Sequence, residues 1–237
     1  MTGILYGVGL GPGDPELATL KAYRLLSAAR VVAYPAPITG EGVASPSLAR
    51  SIAADFLAED VEEIPIPLPM RADQAGPAAA AYDEAAGVIA EKLASGLDVA
   101  ALCEGDPLFY GSFIHLLERL GARFEVEVIP GVTSVSAAAA ALRRPLAKRD
   151  DVFAVIPATL ADAAIAARLA EAEAATILKL GRHLPRLRAL LTRLGLERRC
   201  LYAERVGQAG ERLLPLSEAP ATAPYFSLLQ IGGSDVE

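Results

Sequence analysis

Gly7-Val8-Gly9-Leu10-Gly11-Pro12-Gly13-Asp14-Pro15, near the start of a 237-residue chain, is an apolar strand-like run that breaks into a glycine-rich turn. The pattern recurs twice. Cys103-Glu104-Gly105-Asp106-Pro107 follows Val99-Ala100-Ala101-Leu102, and Ile129-Pro130-Gly131-Val132-Thr133-Ser134 follows Glu125-Val126-Glu127-Val128. Ligands of open α/β sheets bind where strands end and the chain turns into helices, so three bare turns imply a small polar ligand held largely by main-chain groups. A dinucleotide is excluded by the first turn, because the third glycine of G-x-G-x-x-G would fall at position 12 or 14, where Pro12 and Asp14 stand. No Gly-Lys-Ser/Thr follows, which removes the P-loop. Asp14-Pro15-Glu16 reads as a helix start with Asp14 as N-cap and Pro15 in the first helical position. That carboxylate stands where a pyrophosphate would sit, so a neutral or cationic ligand fits better. The same Asp-Pro signature recurs at Asp106-Pro107.

Outward from these turns, apolar runs at 5–9, 30–34, 61–66, 98–103 and 125–129 alternate with helical patterns at 15–28, 45–58, 77–94 and 108–120. This is the rhythm of a five-stranded parallel sheet with crossover helices. A further helix runs from the third turn to Leu142 and stops before Pro145. From Asp150 the pattern predicts strand 152–156, helix 160–172, strand 176–180, helix 184–194 and strands 200–204, 211–215 and 225–231. The last three lie too close together for crossover helices, so the second half is expected to be a mixed sheet with antiparallel pairing. The fold class is therefore α/β in two domains: residues 1–130 with a parallel sheet and residues 131–237 with a mixed one. Pro65, Pro67 and Pro69 read as a stiff surface connector.

Composition narrows the function classes. The chain is 53% hydrophobic with only 5% aromatics, and its net charge of −7 without a basic tail argues against general nucleic-acid binding. Its longest apolar stretch is too short to span a bilayer, and the amino terminus lacks a signal-peptide pattern, so a cytoplasmic protein with no membrane partner is expected. Cys103 and Cys200 stand far apart, without CxxC or a Cys/His cluster, and His115 and His183 are equally separated, so no metal site is expected. Cys103 reads as a small buried apolar group.

Set in order, the turns resemble the tetrapyrrole methylases, the S-adenosylmethionine-dependent enzymes of cobalamin and sirohaem synthesis. The resemblance covers essentially the whole chain. It is carried by Gly9-Leu10-Gly11-Pro12-Gly13-Asp14-Pro15-Glu16-Leu17, by the stretch from Leu102 to Phe113, and by Pro130-Gly131-Val132-Thr133-Ser134. Leu178-Lys179-Leu180-Gly181-Arg182 and Tyr225-Phe226-Ser227-Leu228 complete it. Glu104, followed by Phe109-Tyr110-Gly111-Ser112-Phe113, is similar to the branch that methylates precorrin-2 at C(20), metal-free or cobalt-containing, whereas sirohaem-branch members carry Gly-Gly-Asp-Pro at this turn. The resemblance implies S-adenosylmethionine between two domains, with Pro12 at the mouth, Glu104, Gly105, Asp106 and Tyr110 around its amino-acid and ribose end, and Thr133 and Ser134 on the next turn. Leu180 and Ala203 would hold the adenine. It also implies a small-molecule tetrapyrrole substrate and a homodimer.

Physical chemistry agrees with the donor, since glycines permit close backbone approach and an acidic loop suits a sulfonium that also carries an ammonium group. Several residues keep two readings. Asp14 is an N-cap or a substrate-facing acid, and Asp14 and Glu104 are the candidates for a proton acceptor. Tyr110 is a core ring or a ligand contact, and Thr133 and Ser134 cap a helix or touch ligand. Arg143, Arg144, Lys148, Arg149, Arg182, His183 and Arg186 form a basic cluster suited to substrate carboxylates, with Arg182 the named candidate. Arg186 and Arg193 also fit the solvated face of an amphipathic helix. A catalytically inert tetrapyrrole carrier is the alternative of another class.

Overall fold

Strands buried on both faces need apolar side chains in both registers, and β1 (Leu5–Gly9) and β4 (Val99–Cys103) have them. With β2 (Val31–Ile38), β3 (Glu62–Pro69) and β5 (Val126–Ile129) they form a wholly parallel sheet in the order β3-β2-β4-β1-β5. The computed structural model describes residues 1–38, 46–69 and 75–232 and divides into two compact units, Met1–Thr133 and Ser134–Glu237. One face of the first unit's sheet packs Val31, Ala33, Ile66 and Ala101 against Ile89 and Leu93 of α3 (Ala75–Ala94) and Phe113, Leu116 and Leu120 of α4 (Phe113–Leu120). The other face packs Val8, Leu10, Val32 and Leu102 against Ala22 and Leu26 of α1 (Leu20–Ser27) and Ala49 and Ile52 of α2 (Leu48–Ile52). Strand order is what matters for the site. β4, β1 and β5 are neighbours, so the three glycine turns leave the carboxyl ends of three adjacent strands.

Four sequence expectations need correction in this unit. The segment Pro65 to Pro69 is no connector; it is edge strand β3, where a proline every second residue withholds no N–H that the ladder with β2 requires. The helix expected over 15–28 is broken: Asp14 caps only a 3₁₀ turn, Pro15–Leu17, and Thr19 then caps α1 by accepting from the Ala22 N–H at 3.1 Å. Ser47 starts α2, later than the expected position 45, which lies outside the described residues. The helix expected from 108 begins only at Phe113, because Asp106 closes a local turn onto the Leu108 N–H and Tyr110 is left-handed at φ 57°.

The second unit has β6 (Phe153–Pro157), β7 (Ala174–Leu178), β8 (Cys200–Glu204), β9 (Arg212–Pro215) and β10 (Ser227–Ile231) in the order β6-β7-β10-β8-β9. β6 and β7 are parallel, whereas β10 runs antiparallel to β7 and β8, and β9 antiparallel to β8. The sheet is mixed, as the short connections required. Helices α5 (Ser134–Ala141), α6 (Asp162–Ala170) and α7 (Leu184–Arg193) accompany it. Ile165 and Leu169 of α6 and Leu184, Leu187 and Leu191 of α7 share one core with Ile156, Ile177, Tyr202 and Leu229. β7 ends two residues before the expected Leu180, because Lys179 is left-handed at φ 61° and leaves the ladder. Arg186 is likewise no solvated residue: it donates to Asp162 and to the Ala158 carbonyl, tying α7 to the α6 amino end.

Candidate functional site

At the carboxyl end of the first sheet the turns meet through their backbones. Leu10 N–H donates to the Cys103 carbonyl at 3.0 Å; beyond it Gly11 and Gly105 exchange two hydrogen bonds, at 3.3 and 2.7 Å, as an isolated antiparallel bridge. Both glycines are left-handed, at φ 80° and 68°. A β-carbon on Gly131 would lie 2.0 Å from the Gly105 carbonyl oxygen, and one on Gly9 would lie 2.6 Å from the Gly131 nitrogen. Only glycine fits at both. Asp106 locks the arrangement, its Oδ2 accepting from the Gly131 N–H at 3.0 Å while Oδ1 accepts from the Leu108 N–H at 2.9 Å. The result is a rim of main chain closed at Gly9–Gly131. At Gly105 it is open, since an added β-carbon there would meet only the Val132 carbonyl oxygen, at 4.0 Å.

The side chains on this rim divide into braces and exposed groups. Glu104 Oε1 accepts from the Ala49 N–H at 3.2 Å, at the start of α2, and burial pushes its carboxyl above the ordinary range against the pull of that bond. It holds α2 to the end of β4. Cys103 is buried, its Sγ 3.7 Å from Ser112 Oγ, and desolvation drives its thiol up to about 12, so it is the small apolar group the sequence suggested. Asp14 accepts from the Glu16 N–H at 2.9 Å and is half-buried beside buried Pro12. Tyr110 is no core ring: it is 47% exposed on a left-handed backbone, stacked edge-on against Phe109 at 5.2 Å. Thr133 is half-buried, two residues beyond Gly131. The first unit thus brings Pro12, Asp14, Glu104, Gly105, Asp106 and Tyr110 onto two joined turns.

In the second unit, Ser134 opens α5, Ala203 is buried in β8, and Leu180 is buried just past β7. Arg182 is exposed in the 3₁₀ turn Gly181–His183, and burial, followed by the neighbouring Arg186 and Arg182 charges, lowers the His183 pKa. The expected basic cluster does not form one free surface. Besides Arg186, Arg144 is committed to the Arg199 carbonyl at 3.2 Å. Sequence reasoning missed the left-handed Lys179 and Arg205, which directly follow β7 and β8, and the buried Glu204, which accepts from Tyr202 and lies 3.5 Å from Arg212. Neither lysine nor arginine announces a left-handed backbone, so the sequence carried no signal for the first two. Among the described residues no group of three or more acidic, Cys or His side chains is placed to hold a metal ion, and no helix is long and apolar enough to cross a membrane.

The family model for tetrapyrrole (corrin/porphyrin) methylases matches residues 4–220. The chain belongs to that family. Among relatives of this methylase, the cobalamin biosynthesis protein CobIJ of Mycobacterium tuberculosis strain H37Rv is 44% identical, over 98% of this chain but only 46% of its own length, so the methylase spans about half of that relative. The precorrin-2 C(20)-methyltransferase of a Sinorhizobium species is 42% identical over 98% of this chain and 96% of its own. The cobalt-precorrin-2 C(20)-methyltransferase of Salmonella typhimurium is 33% identical, with 98% and 97% covered. Among solved structures, the uroporphyrin-III C-methyl transferase of Thermus thermophilus complexed with S-adenosyl homocysteine is similar with a TM-score of 0.65 and 27% identity, over 97% of this methylase and 92% of that chain.

The residues present fit such a donor. The rim offers main chain without a β-carbon at its open side, and its acids are tied to backbone donors, so nothing at Gly105 blocks close main-chain approach.

Proposed function

We propose that this tetrapyrrole methylase transfers a methyl group from S-adenosylmethionine to C(20) of precorrin-2, giving precorrin-3A, S-adenosylhomocysteine and one proton, released from the methylated carbon to solvent. The observation that carries the reading is the 42% identity to a precorrin-2 C(20)-methyltransferase over nearly the whole of both chains. The Glu104 to Phe113 wording, on a turn bridged to the first by Gly11 and Gly105, supports the same branch.

Bound S-adenosylmethionine would supply an electrophilic methyl group on a positively charged sulfur. Pro12, Glu104, Gly105, Asp106, Tyr110, Thr133 and Ser134 would hold it on the three glycine turns, with Leu180 and Ala203 taking the adenine and Arg182 the substrate. A reduced tetrapyrrole offers an electron-rich bridging carbon that needs no strong base to become nucleophilic. Orientation of the two reactants is therefore the chain's main contribution, worth roughly 7–11 kcal/mol in well-aligned systems. Glu104 and Asp106 contribute by fixing the rim rather than by moving protons, because each carboxylate is committed to backbone N–H groups.

Purified protein supplied with precorrin-2 and labelled donor should release S-adenosylhomocysteine and a product one methyl heavier, with the new carbon at C(20) by NMR. Absence of both products overturns the reading. A product formed only from cobalt-precorrin-2 moves it to the activity named for the Salmonella relative. Titration calorimetry with S-adenosylhomocysteine removes the inert-carrier alternative if binding is micromolar or tighter, about −8 kcal/mol. Light scattering after size exclusion checks the dimer that belongs to the same reading.

A further inference from the structure

Strands β6, β7 and β8 run parallel to one another, so their carboxyl ends share one edge of the second unit's sheet, with the start of β10 between β7 and β8. At that edge Lys179 directly follows β7 at φ 61° and Arg205 directly follows β8 at φ 52°. Both conformations are free of strain for glycine and costly for any residue with a β-carbon. The register sets Leu178 opposite Leu228, and Leu228 opposite Ala203, so the backbones of Lys179, one residue past that row, and Arg205, two residues past it, lie about 10 Å apart across β10. Arg205 is held there by its N–H, which donates to the Phe226 carbonyl at 2.8 Å. Lys179 and Arg205 are both exposed, and exposed Arg182 follows on the turn beyond β7. Glu204, at the end of β8, is buried, accepting from Tyr202 and facing Arg212.

Strain kept at two non-glycine positions, both basic and both at strand carboxyl ends, is the pattern of a ligand-facing edge. We propose that Lys179 and Arg205, assisted by Arg182, are substrate-positioning residues that pair with peripheral carboxylates of the tetrapyrrole. This rests on the reading of the substrate given above. Two basic residues whose backbones lie two strand spacings apart suit a ligand with several carboxylates on separate side arms better than a single small anion.

The test uses the full-length protein with Lys179→Gln, Arg205→Gln, the double variant, Arg205→Lys and Lys179→Gly. KM and kcat are measured with precorrin-2, affinity for S-adenosylhomocysteine by calorimetry, and binding of uroporphyrin III, a stable polycarboxylate, by fluorescence quenching at several salt concentrations. The expected result is a KM and a uroporphyrin dissociation constant raised about tenfold in each glutamine variant, with a weaker salt dependence. Donor-product affinity stays at the wild-type value and Arg205→Lys recovers most of the loss. Lys179→Gly, free of the left-handed strain, folds at least as stably as wild type yet binds as poorly as Lys179→Gln. Unchanged uroporphyrin binding in the double variant, or a parallel loss of S-adenosylhomocysteine affinity, overturns the assignment. Charge-dependent uroporphyrin binding without methyl transfer upholds it while removing the proposed reaction.

Discussion

At position 131 a β-carbon would sit 2.0 Å from the Gly105 carbonyl oxygen, a backbone atom fixed by the neighbouring bridge. Gly131→Ala should therefore cost about 3 kcal/mol or more and abolish S-adenosylhomocysteine binding. Gly87→Ala is the control, since an added methyl there meets nothing within 4 Å in an exposed turn of α3, and it should stabilise by about 0.5–1 kcal/mol in chemical denaturation. Glu104 makes the opposite kind of prediction. Glu104→Gln keeps an acceptor for the Ala49 N–H and removes a carboxyl that burial disfavours, so stability should be unchanged or higher and methyl transfer should persist; Glu104→Ala orphans that N–H and should lose about 1–3 kcal/mol. Transfer abolished in Glu104→Gln, with the fold intact, would restore the acid as a proton acceptor. The glycine turns were readable as motifs, but the brace made by Glu104 was not, because its partner lies 55 positions away on another element.

Among elements, edge strand β3 shows how much the local pattern conceals. Its prolines suggested a connector, yet Ile64 and Ile66 are buried and Pro65 and Pro67 are exposed, the alternation of a strand with one face on a core. Replacing Pro65 and Pro67 by valine should leave thermal stability nearly unchanged while exposing donors for edge-to-edge pairing, seen as concentration-dependent light scattering. No added scattering would show that the prolines do not guard this edge. Strands buried on both faces were legible because such burial demands continuous apolar runs, as at Val99–Cys103. Helix starts were less so. Asp14-Pro15 and Asp106-Pro107 look alike in sequence, but the first caps a short 3₁₀ turn and the second closes a turn with no helix at all, a distinction set by the left-handed Tyr110 and the packing of Gly111 against the Pro107 carbonyl. The strain at Lys179 and Arg205 left no sequence mark, since neither residue type announces a left-handed backbone.

For the whole molecule, buried weak acids set an alkaline limit. Cys103 is raised from 9.0 to about 12 by desolvation, and Tyr34 from 10.0 to about 12 by burial and its hydrogen bond to Glu63. Each group is held protonated in the folded state, so its contribution is fully present below the unfolded pKa and is lost as pH rises through the folded one. Stability to denaturant should consequently fall between about pH 9 and pH 12, and the fall should be shallower in a Cys103→Ala, Cys200→Ala double variant, because the Cys200 thiol is raised in the same direction. Thiol alkylation at pH 8 should proceed only after unfolding; rapid labelling of native protein would contradict the burial of both sulfurs.

The rim joining Gly9, Gly11, Gly105 and Gly131 is built from peptide groups already pinned to one another. Such a surface has no torsions left to freeze when a molecule docks, so its capture there forfeits little motional freedom. The ordering cost of docking should then fall on the guest, and rates of exchange should be governed by the guest's own conformers instead of by rearrangement of its host.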